Sequence, residues 1–326
     1  MARLNMVKAL NLALREEMAR DPDVLVIGED VGVDGGVFRV TEDLHRTFGG
    51  NRVMDSPLAE AAIIGASVGM ALYGLKPVCE IQFSGFAFQC FHQIENHAAR
   101  YRMRTQGRFH CQMVVRMPYG GGVRALEHHS ESEEQFYAHI PGLKLVIPSG
   151  PRTARALLAS AIRDPDPVIF FEHKALYHAA REEVPDDGET LPIGRARVDR
   201  EGRGITLVGY GAMLRACREA ADQLREEDGV EAEIIDLLTL SPLDRETLAA
   251  SVAKTGRAVV VHEAPMSFGP GAEIAASIME GAFLSLEAPI RRVAGADVPF
   301  VGFAREKANV PDAARVLAAA RETLAY

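Results

Sequence analysis

The sequence predicts an α/β protein of two domains, each a mainly parallel sheet with helical crossovers, and three observations carry that expectation. Apolar runs of strand length alternate with helical patterns along the whole chain, as strand–helix–strand units require. The alternation breaks once, between about His173 and Gly194, where HKALYHAAREEVPDDGETLPIG mixes proline, glycine and acids without a period. A chain of 326 residues is also long enough for two domains that each bury a core. The expected division is a first domain over 1–190 and a smaller second one over 191–326.

The elements follow in order. The opening MARLNMVKALNLALREEMARD is amphipathic, but Glu16 and Glu17 do not suit a transit peptide and no small-residue cleavage site follows, so it is expected to be the first helix of the fold. DVLVIGED (23–30) reads as a strand. In SPLAEAAIIGASVGMALYGLK, Ser56 and Pro57 predict a helix start, with the serine hydroxyl as cap and Glu60 in the first turn. The fifteen residues from Ala61 to Leu75 carry no formal charge, which predicts a buried helix. KPVCEIQF (76–83), QMVVRMP (112–118), LKLVIP (143–148) and PVIFFE (167–172) read as strands, with helical stretches over 88–103 and PRTARALLASAIR between them. The second series runs GITLVGYG (204–211), a helix through Cys217, EAEIIDL (231–237), a helix after Pro242, RAVVVHEAP (257–265), a helix after Gly271, IRRVAG (290–295) and a last helix PDAARVLAAARETL.

Composition excludes several functions. A formal net charge of −9 gives no electrostatic footprint for nucleic acid or an anionic membrane. No run reaches the roughly 18–20 apolar residues of a membrane helix. Cys79, Cys90, Cys111 and Cys217 are far apart and form no CxxC pair, which predicts free thiols and a cytoplasmic protein of bacterial type. GYGAML has Leu214 where a dinucleotide turn wants its third glycine, and the chain has no Gly-Lys pair for a phosphate loop.

The candidate chemistry starts with Glu60. A carboxylate in a first turn complements the helix dipole, worth about 0.3–1 kcal/mol. Drawn into an interior it would instead be held toward its neutral form, in a range useful for proton transfer. Glu29 follows an apolar strand, where clefts of open α/β sheets lie. Phe86 in EIQFSGFAF reads equally as core or as a ring against a ligand. PYGGGVRALEHHSESEEQFYAH carries Gly120 to Gly122 and then His128 and His129, in a loop expected to lead to a helix capped by Ser130 with Glu133 three residues on. No HExxH or Cys/His spacing accompanies the histidines, so a metal site there is not expected.

These blocks, SPLAEAAIIGASVGMALYGLKPVCEIQF with GEDVG and GGVF before it and EHHSESEEQFYAHIPGLKLVIPS after it, resemble the β subunit of thiamine-diphosphate-dependent 2-oxo acid dehydrogenases. FFEHKALY continues the likeness toward the end of the first domain, and KTGRAVVVHEAP extends it into the second. The resemblance implies a pyrimidine-binding, transketolase-like first domain and a transketolase C-terminal-like second one. It implies that Glu60 bonds the cofactor's aminopyrimidine ring, that Phe86 packs on that ring, and that His129 faces the substrate while His128 beside it is more variable; Glu29, from its place at a strand end, is the further candidate for cofactor binding. It also implies a structural monovalent cation, such as K⁺, near Ala161, Asp164 and Asp166. The chain has no GDG block for Mg²⁺ and the diphosphate, so the resemblance assigns these to a separate α subunit in an α₂β₂ heterotetramer that delivers acyl groups to a lipoyl-bearing dihydrolipoamide acyltransferase core. FFEHKALYHAAREEVP and SESEEQFYAHIPG resemble branched-chain members, which implies a small branched 2-oxo acid; pyruvate and acetoin enzymes are the alternatives. A scaffold that has lost the chemistry is the reading from another class.

Overall fold

The computed structural model describes residues 2–326, which divide into two compact units. Residues 2–119 with Phe136–Ile193 form one, and Gly120–Gln135 with Gly194–Tyr326 form the other. The second boundary falls between Ile193 and Gly194. The transfer of Gly120–Gln135 to the second unit was not foreseen, and its cause is a set of hydrogen bonds described below.

In the first unit, helix α1 (Met6–Arg20) starts at Asn5, whose side chain accepts from the Lys8 N–H at 3.0 Å. Its buried face, including Leu10, Leu14 and Met18, packs against the helix over Pro151–Arg163. The two acids that argued against a leader peptide tie these helices together. Glu17 takes a two-point bond from Arg163 (2.6 and 3.0 Å), and Glu16 accepts from the buried Arg155 at 2.6 Å.

Six strands of this unit, β1 (Val24–Gly28), β2 (Val53–Asp55), β3 (Lys76–Glu80), β4 (Val114–Tyr119), β5 (Lys144–Val146) and β6 (Val168–His173), pair in parallel in the order β5-β6-β4-β3-β1-β2. The central strands are buried along their length, which is why they read as unbroken apolar runs. Strand β2 and the antiparallel pair Ala2–Leu4 with Glu182–Val184 are too short to show a period in the sequence.

The helix carrying Glu60, α2 (Glu60–Leu72), departs from expectation at its start. Ser56 is not its cap: its hydroxyl donates to the Pro57 carbonyl at 2.9 Å and its N–H to Gly28 O at 2.8 Å, which carries the chain across the end of β1. The helix begins four residues later, so Glu60 is its first residue and still lies in the first turn, as expected. Ile63, Ile64, Ser67, Val68 and Ala71 are buried, whereas Ala62, Gly65, Ala66 and Gly69 form an exposed face of small residues. The stretch over 88–103 is a succession of 3₁₀, π and α turns rather than one helix.

The second unit has a five-stranded sheet: β7 (Arg197–Arg200), β8 (Ile205–Gly209), β9 (Ala232–Asp236), β10 (Ala258–Pro265) and β11 (Arg291–Gly295), in the order β11-β10-β8-β9-β7 with only β7 antiparallel. Met213–Gln223 and Ala313–Leu324 pack together against this sheet, and Val259, Val261, Cys217, Val316 and Ala320 share its core. Leu214, in the place of the missing dinucleotide glycine, is fully buried in that core.

Candidate active site

The first unit places the candidate residues Glu29, Glu60 and Phe86 near the carboxyl ends of its parallel strands, where open sheets place their clefts. After β1 the chain turns through Asp30 at φ 55°, and Asp55 at the end of β2 accepts from the Gly32 N–H at 2.6 Å, fixing the GEDVG turn over the sheet edge. Glu29 is thereby buried at 6% exposure and Glu60, entering from α2, at 3%. Glu29 Oε1 and Glu60 Oε2 are shielded from solvent and receive no hydrogen bond from any described residue. Burial pushes the Glu29 carboxyl above its usual range, and the nearby Glu60 charge pushes it further. Two acids that a fold would ordinarily pair or expose are thus left buried with acceptor capacity unused among the described residues.

Phe86 lies half-buried on the 3₁₀ turn Ser84–Gln89, which packs on α2 and follows β3. It meets Phe83 edge to face with centroids 5.4 Å apart. The sequence left it divided between core and ligand contact, and its partial exposure beside the Glu60 helix suits a flat ring.

Directly behind this edge is a network that the motif reading did not single out. Arg116 on β4 stands opposite Glu80 on β3 and donates to it at 2.6 Å, and it donates twice to Glu172 on β6, at 2.6 and 2.8 Å. Tyr177 adds a bond to Glu172 at 2.7 Å, and all four side chains are essentially buried. Although burial opposes it, Glu172 and Glu80 hold the guanidinium above its usual range. The sequence signal was present: VVRMPY, VCEIQF and VIFFEH each put one charge inside an apolar strand.

The histidines lie in the second unit. Gly120 and Gly122 have φ near +80° and +87°, and Arg124 reaches 57°, a left-handed alternation that glycine allows at little cost. His128 and His129 follow on a 3₁₀ turn, ring centroids 4.3 Å apart, with His128 the more exposed. The capping box expected at Ser130 and Glu133 does not form: Ser130 closes the 3₁₀ turn, and the next helix starts at Glu134. Glu134 is fully buried, and burial together with the Glu263 charge raises its carboxyl to about 8.

Asp164 and Asp166 do not offer free side chains to a cation. Lys144 Nζ sits on both oxygens of Asp164 (2.6 and 2.7 Å), and Arg102 binds Asp166 at 2.6 Å, so fixed cations already neutralise them. The Ala161 carbonyl accepts from the Asp164 N–H at 3.3 Å. A monovalent ion here would have main-chain carbonyls alone. No cluster of three or more metal-binding side chains occurs among the described residues. All four cysteines are free and buried, with burial raising each thiol to about 12. No helix among the described residues is long and apolar enough to cross a membrane.

Comparison with known proteins accords with this geometry. The family described as "Transketolase, pyrimidine binding domain" matches residues 2–179, and "Transketolase, C-terminal domain" matches residues 194–316. Proteins named "Pyruvate dehydrogenase E1 component subunit beta" from Staphylococcus epidermidis and Staphylococcus aureus are 49% and 48% identical over 326 residues, covering 100% of this chain and of theirs. A solved structure titled "Split gene transketolase, inactive beta4 tetramer" matches with a TM-score of 0.81 over 99% of each chain at 24% identity, a likeness of fold.

Proposed function

We propose a function from one premise: the chain belongs to the family of β subunits of thiamine-diphosphate-dependent 2-oxo acid dehydrogenase E1 components. Its substrate is pyruvate, which it decarboxylates together with an α subunit before the acyl group passes to a lipoyl acceptor. The relatives at 48–49% identity are named for pyruvate, which favours that alternative over the branched-chain substrate first expected from FFEHKALYHAAREEVP.

The observation that carries the reading is the buried Glu60 carboxyl with an oxygen left unbonded at a sheet edge. An orphaned acceptor of this kind fits a ring nitrogen that brings its own proton. When bound, thiamine diphosphate supplies the nucleophilic carbon and the electron sink for decarboxylation. Glu60 holds the shared proton at Oε2, and burial keeps water from competing for it. Phe86 offers its ring face to a flat heterocycle, and Glu29, raised in pKa by burial and then by the Glu60 charge, is paired with no cation among the described residues. His129 moves protons on the substrate side. Mg²⁺ and the diphosphate fall to the α subunit in an α₂β₂ assembly, because no GDG block exists here.

The test is co-expression with the chain encoded beside it, followed by decarboxylation assays on pyruvate, 2-oxoisovalerate and 2-oxoglutarate with and without thiamine diphosphate and Mg²⁺. Pyruvate should lead in kcat/KM by about tenfold or more, the scale a few methylenes command. A preference for 2-oxoisovalerate would overturn the substrate, and activity without thiamine diphosphate would overturn the reaction class.

A further inference from the structure

The glycine turn before the histidines is a concavity of backbone N–H groups of the kind that binds anions elsewhere. Here the chain's own carboxylates fill it. Glu306 Oε1 accepts from Gly122 N at 2.7 Å, and its two oxygens accept from Arg124 N at 3.2 and 3.1 Å. Glu263, on β10 and 3% exposed, accepts from Gly121 N at 2.6 Å and, through the same Oε1, from the Ser132 hydroxyl at 3.1 Å. One buried oxygen therefore ties both feet of the loop that carries His128 and His129. Gly120 N donating to Glu131 O at 3.0 Å closes the same base. The fit leaves no room for a side chain at the turn: a Cβ on Gly121 would lie 2.4 Å from Phe300 Cζ and 3.2 Å from Glu306 Oε1.

We infer that Glu263 and Glu306 are positioning residues that hold the 121–132 loop by its feet and so fix where His129 stands. This rests on the reading of His129 as the group that works on the substrate. Neither glutamate is placed on the reacting atoms; Glu306 acts through backbone amides, and Glu263 through a backbone amide and the Ser132 hydroxyl. Hydrogen bonds to a charged acceptor in a dry site are the strong kind, and small displacements of a catalytic group are costly in rate. A phosphate-binding role for the glycine turn is ruled out by the same geometry, since its donors are already taken.

The experiment uses the assembled αβ enzyme with pyruvate, free lipoamide as acceptor, and the variants Glu306→Ala, Glu306→Gln, Glu263→Ala and His129→Ala. Hydrogen exchange at the amides of residues 121, 122 and 124 is followed beside kcat and KM. Glu306→Ala should lower kcat for lipoamide acylation about tenfold with KM for pyruvate within about twofold. It should also speed exchange at 122 and 124 by about tenfold or more. Glu306→Gln should restore both, because its amide oxygen still accepts from the two N–H groups, and Glu263→Ala should speed exchange at 121. In a His129→Ala background, Glu306→Ala should add less than about a twofold loss. Unchanged exchange in Glu306→Ala would overturn the clamp, and a full additional kcat loss on top of His129→Ala would overturn its action through that histidine. Full activity of His129→Ala would refute the role of His129 itself, and the exchange rates keep that failure separate from the clamp.

Discussion

Two pairs of buried glutamates stand at one sheet of the first unit and are built in opposite ways. Glu80 and Glu172 sit on strands flanking β4, share the guanidinium of Arg116, and gain a further bond from Tyr177. Glu29 and Glu60 stand at the end of β1 and the start of α2, similarly buried, and among the described residues neither is paired with a cation and each has an oxygen that accepts no hydrogen bond. A buried charge costs several kcal/mol unless paired. The first pair meets that cost with an arginine, and the second leaves it standing. Burial alone therefore does not distinguish the two pairs; the presence or absence of a fixed cation does.

The comparison can be broken at either pair, and the largest effect belongs to the paired one. Arg116→Met would strand two buried carboxylates, and a loss of about 3–5 kcal/mol is expected in chemical denaturation, or failure to accumulate folded chain. A loss below about 1 kcal/mol would mean that the network is not what fixes these strands. Glu60→Gln should do the reverse. Unfolding should begin no earlier than in the parent, because an unpaired charge has been removed, while decarboxylation by the assembled enzyme falls by about a hundredfold or more. Retained turnover in that variant would return the chain to the scaffold reading. Tyr177→Phe lies between these in kind and below them in size. It removes one hydrogen bond to a charged oxygen and should cost about 1.5 kcal/mol of stability with kcat within about twofold.

What the sequence made legible follows the same division. Strands β1, β4, β6, β8, β9 and β10 were visible because a strand buried on both faces is a nearly continuous apolar run, and β3, β5 and β11 were read from shorter apolar stretches. Glu60 was visible because it is one charge before fifteen neutral residues. The Arg116 network and the Glu263–Glu306 clamp were not assembled from sequence, since Arg116 lies 36 and 56 residues from its two carboxylates and the clamp's partners lie 131 to 184 residues apart, and only the fold brings them together. Each left a local trace, a lone charge in an apolar strand for Arg116, Glu80, Glu172 and Glu263, but a trace names no partner. Ser56 was misread because Ser-Pro is a good helix start in isolation; the strand end at Gly28 competes for its N–H and delays the helix to Glu60.

The smallest and most discriminating test concerns Glu29. Its carboxyl is raised first by burial and then by the Glu60 charge, so the folded protein binds this proton more tightly than the unfolded chain does. The stability it contributes is fully present below the unfolded value of about 4.5 and is lost as pH rises through the folded value. Glutamine does not titrate. The difference in unfolding midpoint between Glu29→Gln and the parent, measured on the assembled enzyme without thiamine diphosphate, should therefore move in favour of the variant as pH climbs from about 4.5 toward neutrality. Placing Glu60→Gln in both proteins removes the charge but keeps the burial, so the slope should shrink without vanishing. A flat difference would show that Glu29 meets water or a cation after all, and the contrast with the arginine-bound pair would collapse. A slope unaltered by Glu60→Gln would show instead that the two acids do not sense each other, leaving burial as the whole cause.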